Sequence, residues 1–344
     1  MLTSKILTSS LVLLATGLCC ADVDGQRRRR TSWRDRSPLK HILFVSDQKF
    51  ESEALANAKY SIFVPKSYDA KENAQKRYPV VYFLHGMLED QNRFDSRGGS
   101  KVLDDAIAKK VLPEVIFVCA YDGNRRSFYV NSRNRLVETM IVRDLVPFID
   151  KKYRTQADRD HRILMGVSMG GFGAMKIAFK NPKVFGIVAT HSAAIMPEKS
   201  EDLDEMFPWA RRLRLATSIF GDPIDQKKWV AENPLLLAKS IDTEQLANLK
   251  IYFDCGDKDR YGFNRTNAQL HDILTERKVK HSWTLVKGGT HGWNTRDSKV
   301  GYNTANLPNS LAFVGAALTQ KKAVQGQKGL PNSGREEPTK AGKK

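Results

Sequence analysis

Apolar strand-like runs alternate with helix-like segments along most of the chain, and this alternation constrains the fold more than any other feature. Runs such as "PVVYFLHG", "VIFVCA" and "RILMGV" are almost entirely apolar. Strands without a polar face are typical of a sheet that is covered on both sides. Helix-like segments such as "VETMIVRDLVPFIDKKY" and "NAQLHDILTERK" separate them. The sequence therefore predicts an α/β fold, with a mostly parallel central sheet and helices on both faces.

One segment, residues 195–245, interrupts the alternation. It is rich in tryptophan, proline and charged side chains, and it is longer than an ordinary connection between a strand and a helix. In an open parallel sheet, the ligand site lies at the carboxyl ends of the strands. We therefore predict that 195–245 is a short cap-like insertion over the active site, within a single domain that covers residues 41–319.

The two ends of the chain differ in composition from the body. The start, "MLTSKILTSSLVLLATGLCCADV", combines a lysine, a short apolar run and small residues, which is the form of a secretory signal peptide. We predict that residues 1–21 are removed and that the protein is secreted or periplasmic. Cys19 and Cys20, at the end of the apolar run, leave a lipid anchor as the competing interpretation. Segments 22–40 and 320–344 are basic, lack apolar periodicity and are predicted to be disordered.

Of the formal net charge of +18, the two ends carry +10 and the much longer body between them carries +8. The first 40 residues carry eight lysines and arginines against three acidic residues, and the last 25 carry seven against two. This distribution of charge argues against a nucleic-acid partner. Basic tails of this kind either make weak contacts with anionic envelope polymers or have no partner. The sequence contains no signal of oligomeric state.

The motif Gly166-Val167-Ser168-Met169-Gly170 follows a strand-like run and precedes a helix-like segment. A serine on a sharp strand-to-helix turn adopts a strained conformation, and neighbouring residues without side chains avoid a collision there. Such a turn exposes the hydroxyl and points the next amide N–H and the helix N-terminus toward a nearby oxygen. The motif therefore predicts that Ser168 is a nucleophile.

A serine hydroxyl needs a base within hydrogen-bond reach and an acid that orients the base. His291 lies in "KGGTHGWN", a glycine-rich loop directly after the strand-like run "SWTLV", and we predict that it is the base. The acid is expected in "FDCGDKDRYGF". Asp259 is preferred because it lies beyond the glycine on a loop that can reach the histidine, and Asp257 remains the alternative.

Two backbone amides are candidates for stabilising the oxyanion that forms during acyl transfer. The strand-like run "VVYFL" ends in His85-Gly86, and the glycine permits a tight reversal that points the Met87 N–H inward. The Met169 N–H follows the nucleophile. Together they predict a two-donor oxyanion hole.

No metal or cofactor is assigned, because the chain has no H-E-x-x-H motif and no paired-cysteine spacing. Cys119 and Cys255, each at the end of a strand-like run, are predicted to be buried thiols. Aromatic residues near the expected cleft are candidates for substrate contacts, and core packing is the equal alternative. They are Tyr121, Trp209, Trp229 and Trp293.

In their order along the chain, these motifs resemble the esterase D-like serine esterases of the α/β-hydrolase fold. That family includes S-formylglutathione hydrolases, feruloyl and acetylxylan esterases and mycolyltransferases. The likeness extends over about residues 55–300 and rests on "PVVYFLHG", "GVSMGGFGAMKIAFKNP", "FGDPIDQKKWVAENPLLLA", "YFDCGDKDRYGF" and "GGTHGW". It implies the roles already assigned to Ser168, Asp259, His291, Met87 and Met169. The signal peptide and basic tails depart from the family pattern and favour an exported esterase over a cytosolic hydrolase.

The predicted function is a secreted serine carboxylic ester hydrolase acting through an acyl-enzyme on a small-molecule or glycan ester. Short-chain, acetyl or feruloyl-type esters of sugars or related alcohols are the expected substrates. Two alternatives remain. The same residues could transfer the acyl group to a sugar hydroxyl, or the fold could be a catalytically idle polysaccharide- or envelope-binding module.

Overall fold

The structure is a computed structural model that describes residues 38–212, 214–292, 295–297, 301–303 and 306–319. The predicted signal peptide, the tail 320–344 and segment 22–40, apart from its last three residues, lie outside this range. Within the described residues, no helix is both long enough and apolar enough to cross a membrane.

Among the described residues, eight strands form the central sheet, and four short strands form two separate antiparallel pairs. The strands are β1 (Ile42–Lys49), β2 (Lys59–Pro65), β3 (Val80–Leu84), β4 (Ile116–Ala120), β5 (Asn131–Ser132), β6 (Arg135–Leu136), β7 (Arg162–Val167), β8 (Ile187–His191), β9 (Lys250–Gly256), β10 (His281–Val286), β11 (Thr295–Asp297) and β12 (Gly301–Asn303). The order in the central sheet is β1-β2-β4-β3-β7-β8-β9-β10. Strand β2 pairs antiparallel with β1 and β4, and every other neighbouring pair is parallel. The prediction of a mostly parallel sheet is confirmed.

Helices follow most of the parallel strands. They are α1 (Arg93–Ser96), α2 (Gly99–Ala108), α3 (Val137–Thr139), α4 (Val146–Lys152), α5 (Met169–Lys180), α6 (Leu203–Met206), α7 (Pro208–Arg212), α8 (Leu215–Phe220), α9 (Gln226–Glu232), α10 (Pro234–Ser240), α11 (Thr243–Ala247), α12 (Phe263–Glu276) and α13 (Leu307–Thr319). A π-helical turn, Met140–Leu145, joins α3 to α4, so the helix predicted in "VETMIVRDLVPFIDKKY" is continuous.

The two faces of the sheet carry separate apolar cores. Along β3, Tyr82 and Leu84 belong to one core cluster, whereas Val81 and Phe83 belong to the other. Because side chains alternate between the faces of a strand, both faces of β3 are covered. Helices α2 and α13 contribute to the second cluster, and α4, α5, α10 and α12 contribute to the first. This double coverage explains the apolar strands in the sequence.

The segment predicted as a cap forms helices α6 to α11 between β8 and β9. Within this segment, α10 packs against α5 and α12 in the layer that covers the sheet. Its residues Leu235 and Leu237 are buried in the first core cluster. Glu232 of α9 also pairs with the fully buried Lys176 of α5. Part of the segment is therefore an integral layer of the domain.

Candidate active site

Ser168 lies alone between the end of β7 and the start of α5, at φ 55° and ψ −120°. This is a conformation that residues with a side chain rarely adopt, and it persists only where the surroundings hold it. The Ser168 N–H donates to the His191 carbonyl at 3.0 Å, and the Ser168 carbonyl accepts from the Ala194 N–H at 2.9 Å. Hydrogen bonds on both sides thus hold the turn and present the half-buried serine.

The two glycines of the motif are required by close backbone contacts. A Cβ atom at Gly166 would lie 2.2 Å from the Gly170 carbonyl oxygen. A Cβ atom at Gly170 would lie 1.9 Å from the Leu84 carbonyl oxygen at the end of β3. Both distances are far shorter than any normal contact, so larger residues would force the serine turn away from the sheet.

His291 and Asp259 form a hydrogen-bonded pair at the ends of the strands. The distance between His291 Nδ1 and Asp259 Oδ2 is 2.8 Å. The other carboxylate oxygen of Asp259 accepts from the Tyr261 N–H at 2.9 Å. Burial raises the pKa of the Asp259 carboxyl, but the hydrogen bond and charge of His291, with the bonds from Tyr261 and Ser192, bring that pKa below its ordinary value. The carboxylate is therefore ionised and positioned to hold the proton on His291 Nδ1.

The two other carboxylates of the same segment have different surroundings. Asp257 has a buried Oδ1 atom with no hydrogen-bond partner among the described residues. Asp254 lies within β9 and contacts His191 Nδ1 at 2.9 Å. Of the three, only Asp259 contacts His291 within the described part of the chain. The geometry thus favours the preferred acid of the sequence analysis.

A second Ser–His–Asp arrangement lies inside the protein. His191 Nε2 is 2.9 Å from the Ser310 hydroxyl, and His191 Nδ1 contacts Asp254. All three side chains are fully buried, in contrast to Ser168 and His291. No substrate can reach them, so this network joins α13 to the sheet rather than forming a second reactive centre.

A cavity of about 420 Å³ contains both the serine and the histidine. Ser168, His291, Met87 and Met169 are all among its lining residues. Within the described residues, no hydrogen bond joins the Ser168 hydroxyl to His291. Such bonds are often long in unliganded enzymes and tighten when substrate binds. The cavity therefore brings the predicted nucleophile, base and oxyanion donors to one place.

The turn after β3 lies directly beside the serine. A Cβ atom at Gly86 would be 3.7 Å from the Cβ atom of Ser168. The Glu89 side chain accepts the Gly86 N–H at 3.0 Å and holds the reversal. The Met169 N–H belongs to the first turn of α5, whose amides have no carbonyl partner within the helix. Both predicted oxyanion donors thus lie on backbone next to the nucleophile.

Ser192 is a site residue that the sequence analysis missed. Its buried hydroxyl accepts the Gly292 N–H at 2.9 Å and also bonds to the Asp259 carboxylate. It therefore ties the loop of the base to the acid. A serine after β8 has no distinctive sequence signal, because the contact joins residues 100 positions apart.

Aromatic side chains form one wall of the cavity around His291. The Tyr261 ring lies edge-on at 4.6 Å from the imidazole centroid, and the Phe263 ring lies at 5.7 Å. Trp209 of α7 packs on Tyr261 and donates its indole N–H to the Tyr261 carbonyl at 3.1 Å. This placement agrees with the prediction that Trp209 lies at the cleft. Tyr261 and Phe263 were missed, although both follow Asp259 closely in sequence.

Two other predicted substrate contacts lie elsewhere. Trp229 is 1% exposed, packs on Phe220 and donates to the Glu198 carbonyl, so it is a core residue. Tyr121 stacks beneath Lys59 and is not part of the cavity wall. Both predictions are corrected, because Trp229 packs into the core from α9, Tyr121 follows β4, and neither residue lines the cavity that contains Ser168. Trp293 lies outside the described residues.

Cys119 and Cys255 are buried free thiols, as predicted. Burial raises the pKa of both thiols, so they remain protonated. In the described ranges, no group of three or more His, Cys, Asp or Glu side chains is arranged to hold a metal ion.

Comparison with known proteins gives a family and a fold. Residues 52–304 match the family model described as "Putative esterase". The chain is 31% identical over 149 residues to an endo-1,4-beta-xylanase/feruloyl esterase of Xylanibacter ruminicola, a match that covers 41% of this chain and 20% of that protein. It is 24% identical over 262 residues to the S-formylglutathione hydrolase of Rattus norvegicus, covering 70% of this chain and 84% of that protein. The chain thus spans only about a fifth of the first of these relatives.

A solved ferulic acid esterase structure has a similar fold. It superposes with a TM-score of 0.65 at 24% identity, covering 81% of this chain and 99% of that chain. At this level of identity the similarity establishes the α/β-hydrolase fold.

Proposed function

The chain belongs to the esterase family whose model it matches over residues 52–304, and from this premise we propose that it is a serine carboxylic ester hydrolase. One observation carries the proposal. The strained Ser168 turn and the hydrogen-bonded His291–Asp259 pair, which come from distant parts of the chain, line or adjoin the same cavity. A nucleophile, a base and an orienting acid in this arrangement suit acyl transfer.

In the proposed reaction, the Ser168 hydroxyl attacks the ester carbonyl while His291 Nε2 accepts its proton. The Met87 and Met169 N–H groups donate to the oxyanion of the tetrahedral intermediate. His291 then gives the proton to the alcohol oxygen. The alcohol departs, and the acyl group remains bound to Ser168 as an acyl-enzyme. Water, activated by His291, attacks this ester and releases the acid. Asp259 keeps the proton on Nδ1 and stabilises the imidazolium that forms twice.

The proposed substrates carry short acyl groups or aryl acyl groups such as feruloyl. The cavity volume of about 420 Å³ suits a small ester, and Trp209, Tyr261 and Phe263 offer apolar surface beside the base. A feruloyl esterase and an S-formylglutathione hydrolase are among the chain's relatives, which is consistent with acetyl, formyl or feruloyl transfer. Esters of sugars or related alcohols are the proposed substrates.

We infer from the first 21 residues that the protein is exported, secreted or periplasmic, with lipid anchoring as the alternative. Mass spectrometry of the protein recovered from its native host tests this. A mature N-terminus near residue 22 supports cleavage, whereas an intact Met1 contradicts it.

The function is tested by rapid-mixing hydrolysis of p-nitrophenyl acetate, butyrate and octanoate, together with feruloyl and acetylated sugar esters. We expect a burst of one nitrophenolate per active site, followed by slower turnover. The burst should vanish in Ser168→Ala and persist in Ser282→Ala, which alters an exposed serine of β10. Absence of turnover on all of these esters by the folded wild-type protein would refute the proposal.

A further inference from the structure

The cavity wall carries more positive than negative charge. Lys258, Arg260 and Arg97 line the cavity, and Glu89 is the acidic residue among its lining. The negative charge of Glu89 is already balanced, because Glu89 forms ion pairs with both Arg93 and Arg97. In the described part of the chain, neither Lys258 nor Arg260 forms an ion pair with a carboxylate. Two cations at the cavity are therefore available to a ligand.

Arg260 is held in place although its side chain is exposed. Its guanidinium lies over the Tyr261 ring at 4.8 Å from the centroid, and its Nη2 atom donates to the Tyr261 hydroxyl at 2.8 Å. Tyr261 in turn packs edge-on against His291. A guanidinium that is fixed by stacking loses less conformational entropy on binding an anion than a free one. Arg260 is thus preorganised next to the catalytic base.

Lys258 belongs to the same face of the cavity. Its backbone N–H donates to the Gly289 carbonyl at 2.9 Å, in the loop that carries His291. Lys258 and Arg260 also flank Asp259, whose own negative charge is engaged by His291 and the Tyr261 amide. The two cations therefore lie on the histidine side of the cavity.

The chemistry of the site decides which half of an ester meets this side. The base must protonate the departing alcohol oxygen, so the alcohol half leaves along the histidine face. We therefore expect residues around His291 to contact the alcohol, and residues around the oxyanion turn to contact the acyl half. An anionic group on the alcohol would come close to Arg260 and Lys258.

We propose that the preferred substrates are esters whose alcohol half carries an anionic group, bound by Arg260 and Lys258. This inference rests on the proposed function. The shared chemistry is an oxyanion, either a carboxylate or a sulfonate- or sulfate-type group. Guanidinium and ammonium donors bind both through charge-assisted hydrogen bonds.

The test compares acetate esters of matched size. 4-Acetoxybenzoate is paired with 4-acetoxybenzamide, and 4-acetoxybenzenesulfonate is paired with 4-acetoxybenzenesulfonamide. The measured quantity is the ratio of kcat/KM for the anionic ester to that for its neutral partner, in wild type and in Lys258→Gln/Arg260→Gln. Comparing this ratio between proteins cancels the intrinsic reactivity of the leaving groups. Thermal melting establishes that the variant is folded.

We expect the double substitution to lower the ratio by about tenfold for at least one pair, as loss of charge-assisted contacts implies. The pair of esters whose ratio falls identifies the anionic group that the two cations bind. Added salt should also reduce the ratio in the wild type, because it screens the attraction between the anion and the two cations. Lys227→Gln, an exposed change on α9 away from the cavity, should leave the ratio unaltered.

Two failures are distinguishable. If the wild type hydrolyses both members of each pair and the double variant has the same ratio, the inference is wrong and the esterase function stands. If the wild type hydrolyses none of the four esters, nor the esters named for the functional test, the proposed function itself fails. A third comparison uses p-nitrophenyl hemisuccinate and butyrate, which differ in acyl charge. An equal effect of the substitutions on that pair would overturn the assignment to the alcohol half.

Discussion

The Nδ1 atom of His291 lies 2.8 Å from Oδ2 of Asp259, and the Asp259 side chain is fully buried beneath the imidazole. Replacing Asp259 with asparagine should lower kcat by about 10³- to 10⁴-fold, because the amide neither holds the required tautomer nor stabilises the imidazolium. Steady-state kinetics measure the effect. Asp257→Asn is the matched control and should retain most activity, since Asp257 does not contact His291. Equal losses in the two variants would contradict the assignment of the acid.

The same carboxylate should contribute to stability in a pH-dependent way. Its folded pKa is below the ordinary value, so the unfolded chain binds the proton more readily. The contribution is complete above the unfolded carboxyl pKa of about 4 and is lost as pH falls through the lower folded value. The melting temperature should therefore fall with acidification below about pH 4, and fall less in Asp259→Asn. Identical pH profiles for the two proteins would argue against an ionised, buried Asp259.

The serine turn depends on the absence of a side chain at Gly170. Gly170→Ala should destabilise the fold by about 3 kcal/mol or more and abolish activity, because its Cβ atom overlaps the Leu84 carbonyl. Gly288→Ala is the control. Gly288 has φ 69° with nothing near its Cβ position, so that change should cost only about 1 kcal/mol of backbone strain. Urea unfolding compares the two, and a mild effect at Gly170 would show that the turn can relax.

A buried ion-pair network holds the helix that follows the nucleophile. The Lys176 ammonium is fully buried and contacts Glu138 at 2.7 Å and Glu232 at 2.6 Å. Lys176→Met should lower the free energy of unfolding by about 3 kcal/mol, because among the described residues it leaves Lys180 as the one cation paired with two largely buried carboxylates. Lys183→Met, an exposed change just beyond α5, should have little effect. A stability loss confined to Lys183→Met would be incompatible with this account.

The two tryptophans of the inserted segment should respond differently to removal. Trp229→Ala should cost about 3 to 5 kcal/mol of stability, since the ring is fully buried. Trp209→Ala should change stability less and raise KM for aryl esters, because Trp209 lines the cavity. Melting curves and steady-state kinetics on the same two proteins separate these effects. A larger loss of stability in Trp209→Ala, together with a higher KM for aryl esters in Trp229→Ala, would instead place Trp229 at the cleft.

Several features of the protein were evident from local sequence patterns. Apolar runs with no polar face require cover on both sides, and this predicted the parallel sheet between helices. The spacing of Gly166 and Gly170 around Ser168 predicted the turn, because only glycine fits where backbone approaches backbone. Chain order and loop position indicated His291.

Other features were decided only by tertiary structure. The choice between Asp257 and Asp259 depended on which carboxylate faces an imidazole more than 30 positions away, and local sequence leaves both open. Ser192, Tyr261 and Phe263 joined the site through contacts across strands and loops, whereas Trp229 went to the core. The physical reason is that periodicity and turn chemistry act over a few residues, but side-chain partners are set by how distant elements pack.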